Sequence, residues 1–286
     1  MNPRSTTRVQ RKRGHAALPQ AWSVHARPAI GHVGSLRARA TRSFRLCVAT
    51  VFAGKERSLE IYRRWVSRLS WHRDWCSLLA VDNSCDDAFH VALLKLMSEL
   101  PFNHAVVRCD ERATGHAPRD LADTLRERNA NKYALSRHVA RLYAIARQTM
   151  PAATDLLVTV EDDTEPPPGF DLKLVEALLR HPRAGIATGC QRSRHASDSW
   201  TIWRGGKRVP PPAPSYFANV DWTGFYCAMF RREAIDNVTF RPTLDCSPIR
   251  CAFDWAACED VRAAGNDIVA VGDVVCKHWR GDDSFV

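Results

Sequence analysis

The 286-residue chain is 45% hydrophobic and 25% charged, which suits one large domain or two small ones with a sizeable core. No window approaches 18 consecutive apolar residues and no apolar segment opens the chain, so neither a membrane span nor a secretory signal is expected. The formal charge of +10 comes from 41 Lys and Arg against 31 Asp and Glu, yet residues 1–45 hold ten of those basic residues and no acid, leaving 46–286 balanced at 31 against 31. The basic character belongs to an N-terminal arm, so it does not mark the rest of the chain as a nucleic-acid-binding domain.

Ten cysteines are scattered without a CxxC pair or zinc-type spacing. That pattern fits a reduced, cytoplasmic protein. Cys246, Cys251 and Cys258 lie close together in sequence, and a metal among them is a minor alternative.

Residues 1–43 lack periodicity and are rich in Arg, Ala, Ser and Pro. They are expected to form a disordered basic tail. A nucleic-acid-contacting arm, a transit-like leader and an extension upstream of the natural start remain open as its role. Residues 44–286 are read as one domain.

The apolar run Leu46 to Phe52 predicts a buried strand, and Leu59, Tyr62, Trp65, Val66 and Leu69 then recur at helical spacing. Ser77 to Val81 predicts a second strand, ending in Asp82-Asn83-Ser84, and a helix over about 86–100 follows. His104 to Arg108 predicts a third strand. This β-α-β-α-β order implies a parallel sheet with right-handed crossovers. Residues 109–128 read as loop and Asn131 to Gln148 as a helix with Leu135, Val139, Leu142, Tyr143 and Ile145 on its apolar side.

Leu156 to Val160 predicts another buried strand, followed at once by Glu161, Asp162 and Asp163 and then by Pro166, Pro167, Pro168 and Gly169. A carboxylate cluster therefore stands at the C-terminal end of a strand, where open α/β sheets bind ligands. A divalent cation would offset the repulsion of the three acids, and a hard cation such as Mg²⁺ takes one or two protein carboxylates plus substrate phosphates. A solvated acidic turn is the alternative.

Leu172 to Leu179 predicts a helix and Gly185 to Gly189 a strand, whereas residues 190–218 read as irregular. That length suggests a mobile or substrate-covering segment. Phe225 to Phe230 predicts a strand, Arg231-Arg232-Glu233 the start of a helix, and residues 241–252 a loop. Asp254 to Ala264 predicts a helix stopped by Gly265, and Ile268 to Val271 with Val274 to Lys277 one or two last strands ending at His278-Trp279.

Four stretches in this order resemble the GT-A class of nucleotide-sugar glycosyltransferases, and most closely its family-2-like group: LCVATVFAGKERSLEIYRRWVSRL, LLAVDNSCDD, LLVTVEDDTEPPPGF and FDWAACEDVRAAGNDIVAVGDVVCKHW. WTGFYCAMFRREAI resembles the family's Gly-containing loop, strand and Arg-Arg-Glu turn. The resemblance spans roughly Leu46 to Trp279 and implies a GT-A, Rossmann-like, mostly parallel sheet flanked by helices.

It also implies roles. The family's DXD motif maps its metal-binding last acid onto Asp163, and the first position is Glu161 instead of Asp. Asp162 would bind ribose or support the metal shell, with Mn²⁺ or Mg²⁺ as the cation. Asp82 matches the position that reads the nucleotide base; the alternative is an Asx-turn closed by its own carboxylate. Lys55 and Arg57 would pass near the diphosphate. Asp254 stands eleven residues before Gly265, the spacing of the family's catalytic base, although Phe253 replaces the usual preceding acid. A helix N-cap is the other reading of Asp254, and Glu259-Asp260 is a rival acidic pair. His278 matches a late His that ligates the metal in some GT-A enzymes. Trp222 would stack on a sugar, and Gly224 would let the backbone approach it.

The function implied is a metal-dependent, inverting glycosyltransferase that moves a sugar from a nucleotide-diphosphate donor to a hydroxyl of a glycan or a modified nucleic-acid base. A catalytically weak glycosyltransferase-like protein that binds nucleic acid or glycan, and a sugar nucleotidyltransferase, are the alternatives. The single Gly54 suits the nucleotidyltransferase's Gly-rich loop poorly.

Overall fold

A computed structural model describes residues 43–55, 57–110, 125–193, 196–242 and 252–279. Residues 1–42, which carry nearly all of the expected tail, and 243–251, with Cys246 and Cys251, lie outside the described residues.

The first strands form where apolar runs predict them: β1 (Leu46–Phe52), β2 (Cys76–Asp82) and β3 (Asn103–Arg108). Helix α1 (Ser58–Val66) connects β1 to a 3₁₀ turn (Arg73–Trp75), and α2 (Asp87–Glu99) connects β2 to β3. Asp86 caps α2 by accepting from the backbone N–H groups of Ala88 at 2.8 Å and Phe89 at 3.2 Å. Helix α3 (Leu125–Thr149) begins before the expected Asn131. Strand β4 (Leu156–Val160) leads into the acids and then the short β5 (Thr164–Glu165), and α4 (Phe170–Arg180) returns to β6 (Ala184–Ser193).

Residues 190–218 are not irregular, which corrects that expectation. They hold the end of β6, β7 (Ala196–Trp200), β8 (Ile202–Arg204), β9 (Lys207–Arg208) and the start of β10 (Phe217–Val220). Their polar alternation and Pro-rich break hide strands too short to show a period. After these come β11 (Trp222–Thr223), β12 (Cys227–Arg231), α5 (Arg232–Asp236), α6 (Phe253–Ala263) and one long strand, β13 (Asp267–His278).

The main sheet runs β10-β13-β6-β12-β4-β1-β2-β3, and β11-β8-β9 form a separate three-stranded sheet. Strands β1, β2, β3 and β4 pair in parallel, as do β6 and β13. Strand β12 is antiparallel to both β4 and β6, and β10 is antiparallel to β13.

Both faces of the sheet are covered, which is why its strands read as unbroken apolar runs. Along β1, Leu46 and Val48 pack with Ile61, Tyr62 and Trp65 of α1, while Cys47 and Ala49 point to the other face with Leu142 and Tyr143 of α3.

The parallel arrangement sends the C-terminal ends of β1, β2 and β4 to one edge. The loop 53–55, Asp82 and Glu161 to Asp163 therefore share that edge. Because β12 runs the opposite way, the residues before it arrive at the same edge, and the Glu161 N–H donates to the Tyr226 carbonyl at 3.2 Å.

Strand β13 completes the edge. Its register against β6 shifts between Ala270 and Val275, and its far end pairs with β5, Lys277 opposite Glu165 and His278 opposite Thr164. A side chain at Gly272, in the shifted stretch, would lie 2.3 Å from the Ala213 carbonyl oxygen and 2.5 Å from that of Pro212, so only glycine fits there.

Candidate metal and active site

Glu161, Asp163 and His278 each place one ligand atom within 4.8 Å of the others. Two carboxylate oxygens and an imidazole suit Mn²⁺, while Mg²⁺, which prefers oxygen ligands throughout, would use the carboxylates alone. Asp163 and His278 are buried, at 4% and 3% exposure. The resemblance implied Asp163 and His278 as metal ligands, with Glu161 or Asp162 beside Asp163 and Glu161 also among the donor-binding residues; the geometry places Glu161 in the ligand cluster.

His278 is held from behind. Its Nε2 lies 3.4 Å from Asp163 Oδ2, and its Nδ1 lies 2.9 Å from Gln191 Nε2. The Thr164 hydroxyl donates to Gln191 Oε1 at 3.0 Å. An imidazole that ligates through Nε2 must carry its proton on Nδ1. Gln191 would then present its oxygen to Nδ1, an amide turn that the Thr164 hydroxyl, both donor and acceptor, accommodates. Gln191 had no sequence signal, because it sits in the part of β6 that reads as irregular.

Lys55 contacts two of the acids, its Nζ donating to Asp162 Oδ1 at 2.8 Å and to Asp163 Oδ2 at 2.7 Å. The second oxygen of Asp162 accepts from the Ala53 N–H at 2.9 Å. Burial pushes the Lys55 pKa down, but Asp162 and Asp163 outweigh it and hold the ammonium well above its ordinary value. Burial likewise lifts the Asp162 carboxyl, against the pull of Lys55.

Asp82 is buried at 1% exposure, and its carboxylate is engaged within the protein. Oδ1 accepts from the Ser84 N–H at 2.9 Å, which is the Asx-turn, and Oδ2 lies 2.7 Å from His90 Nδ1. His90, on α2, had no sequence signal. Arg57 places its guanidinium 5.8 Å over the ring of Trp279, beside His278.

Asp254 lies in the first turn of α6, whose N-cap position is Ala252, so Asp254 is not the cap. Its Oδ1 accepts from the Trp255 N–H at 2.9 Å. Burial first, and then the charge of Glu161, raise its pKa to about 7 against the pull of that hydrogen bond. Its Oδ2 borders Gly224, two residues before Tyr226, whose carbonyl accepts from the Glu161 N–H, so the base candidate lies on the same edge as the acid triplet. The rival pair is engaged elsewhere. Asp260 is bound by both terminal nitrogens of Arg241, at 2.6 and 2.8 Å, and by the Thr239 N–H; Glu259 accepts from the Trp255 indole at 2.8 Å.

Tyr143 reads in sequence as one of an apolar row. Burial pushes its hydroxyl pKa far up, and the charges of Glu161, Asp162, Asp254 and Asp163 add to the shift, so its polar end senses the whole cluster. Gly224 borders Asp254: a Cβ built there would meet Asp254 Oδ2 at 3.4 Å and the Tyr226 ring at 2.7 Å. Trp222 packs edge-on against Trp203 at 5.7 Å and tilted against Trp255 at 5.6 Å. Among the described residues no helix is long and apolar enough to cross a membrane.

No protein-family model matches the chain, and no curated protein matches it by sequence. Solved structures do resemble it. The mannosyltransferase PcManGT from Pyrobaculum calidifontis, in complex with GDP-Man and Mn²⁺, is 14% identical, with a TM-score of 0.55 over 90% of this chain and 60% of that one. A structure of S. aureus TarS, residues 1–349, is 8% identical, with a TM-score of 0.52 over 81% of this chain and 60% of that one. The chain thus spans about 60% of either protein's length. At such identities the likeness establishes the fold: the chain has the GT-A architecture that its sequence resembles.

Proposed function

We propose that the chain is a metal-dependent, inverting glycosyltransferase that moves a sugar from a nucleotide-diphosphate donor to a hydroxyl acceptor. The observation that carries the reading is that Asp254 Oδ2 borders Gly224, two residues before the Tyr226 carbonyl that accepts from the N–H of Glu161, a member of the ligand cluster. The fold likeness to a mannosyltransferase crystallised with GDP-Man and Mn²⁺ supports it.

A divalent cation held by Glu161, Asp163 and His278 would supply positive charge against the departing diphosphate. Lys55, beside Asp162 and Asp163, and Arg57, over Trp279, lie on the same side and would bind the phosphates. Asp82 and its loop would face the base, Asp162 the ribose, and Trp222 and Gly224 the sugar.

Asp254 would take the proton of the acceptor hydroxyl as its oxygen bonds to the anomeric carbon. The bond from that carbon to the diphosphate oxygen breaks, and its electron pair leaves on the diphosphate. A pKa of about 7 suits that task, because a base is most effective near the working pH. One carboxylate opposite the leaving group gives inversion in a single displacement.

Thermal-shift titration with a panel of nucleoside diphosphates, with and without Mn²⁺, tests the reading. A ligand at a hundredfold its Kd should add about 2.7 kcal/mol of stability. The shift should require the cation and vanish in Asp163→Ala. If no nucleoside diphosphate stabilises the protein in the presence of Mn²⁺, the proposal fails.

A further inference from the structure

Three tryptophans from three separate elements meet beside the candidate base: Trp203 on β8, Trp222 on β11 and Trp255 in the first turn of α6. Their ring centroids are 5.7 Å (203–222), 6.4 Å (203–255) and 5.6 Å (222–255) apart. Trp203 is the buried member, at 8% exposure, with the Arg208 guanidinium 5.2 Å over its ring. Trp222 and Trp255 keep part of their surface open.

Packing of the small sheet against α6 accounts for Trp203. It does not account for two half-open indoles next to a carboxylate with a raised pKa. Large aromatics are costly to leave partly wet unless something covers them. The indole N–H groups of Trp203 and Trp222 are buried and have no hydrogen-bond partner among the described residues. A buried donor left without an acceptor is destabilising, and an incoming hydroxyl or a water that it carries would relieve it.

Position and charge narrow the occupant. Trp255 directly follows Asp254, and Trp222 precedes Gly224, above which Asp254 Oδ2 lies. A ring stacked on these indoles has its hydroxyls beside the base. The charged groups on this cluster are of both signs: Glu259 accepts from the Trp255 indole at 2.8 Å, Asp254 directly precedes Trp255, and the Arg208 guanidinium stands 5.2 Å over Trp203. Acids interleaved with a single arginine give a phosphate backbone little net attraction, while carboxylates accept from hydroxyls. That rim favours a neutral polyol over a nucleic-acid strand.

We propose that Trp222 and Trp255, braced by Trp203, form the acceptor subsite, and that the acceptor is a neutral saccharide held by stacking of its apolar face on the indoles. The inference rests on the glycosyltransferase reading of Asp254 and deepens it by naming the acceptor class.

The experiment is a broad glycan array followed by calorimetry with the best neutral oligosaccharide, a duplex DNA oligomer and nucleoside diphosphates with Mn²⁺, on the same preparations. Trp255→Ala, in a half-open position, should weaken saccharide binding by about tenfold or more, equivalent to about 1.4 kcal/mol, with an unchanged circular-dichroism melt. Trp255→Phe, which keeps a stacking face, should recover most of the affinity. Saccharide binding indifferent to Trp255→Ala, a blank array alongside intact nucleotide binding, or DNA binding that depends on these tryptophans would each overturn the acceptor assignment. Loss of both nucleotide and saccharide binding in the wild type would overturn the glycosyltransferase reading itself, and this inference with it.

Discussion

Replacing Lys55 by Met should tighten Mn²⁺ binding to the free protein, although the residue is placed here on the donor side of the site. The reason is geometric. Lys55 Nζ already occupies the cation-binding side of Asp163 Oδ2 at 2.7 Å and reaches Asp162 Oδ1 at 2.8 Å. A divalent ion taking Asp163 must break that contact. A hydrogen bond to a charged group is worth roughly 1.5–3 kcal/mol, and exposure of the lysine side chain brings it to the low end. That side chain is 45% exposed against 6% for Asp163. Removing the competitor should therefore lower the Mn²⁺ Kd by about tenfold. The free-ion Mn²⁺ signal in electron paramagnetic resonance, titrated at pH 8 to keep the carboxylates ionised, reads this directly. Without the ion, the variant should melt lower than wild type, because two buried carboxylates lose their counter-charge, and Mn²⁺ should close the gap. A variant Kd equal to or weaker than that of wild type would refute the competition and the placement of the ion on Asp163.

Three other outcomes follow from the same geometry. Asp254→Asn should reduce transfer by about 10²–10⁴-fold, and wild-type turnover should climb as pH rises through about 7, since the unprotonated carboxylate is the active form. A carboxyl raised from 3.8 in this way favours folding while protonated and loses that contribution as pH rises through about 7; Asp254→Asn should thus melt above wild type at pH 8, with the gap closing by pH 4. Gln191→Leu removes the partner of His278 Nδ1 and should weaken Mn²⁺ binding by about 10–100-fold, measured by the same titration, while Gln191→Glu should retain most of it. Gly224→Ala puts a methyl group 2.7 Å from the Tyr226 ring and should cost about 1–3 kcal/mol in denaturant unfolding.

What was legible in the chain divides by range of interaction. Strands β1 and β4 start and stop where their apolar runs do, because each is buried on both faces and every residue of the run reports it. The acid triplet was legible because it follows the β4 run directly in the chain. Helix α3 begins early because its first turns are polar and show no apolar period. The strands within 190–218 were missed because they are short, and because two of them take partners outside the segment: Phe217 opposite Val271, and Trp203 opposite Trp222. The site depends on the longest separations. Lys55 meets Asp162 across 107 positions, and Gln191 meets His278 across 87. No periodicity encodes such contacts. Resemblance supplied His278 and Asp254, and neither resemblance nor pattern supplied Gln191 or His90.

The return of β13 makes the candidate cation site a clasp across the chain. Two of its three ligands lie just past β4, and the third arrives only after the last described strand has crossed β6, passed its register shift and docked antiparallel on β5. Closure of that arc is entropically demanding, because 114 positions separate Asp163 from His278 (278 − 163 = 115, less one). An ion seated there would join mid-chain to chain end, so the amides of residues 274–279 should exchange hydrogen more slowly when Mn²⁺ is present. Occupancy of the metal would then be written into how long the final strand stays zipped.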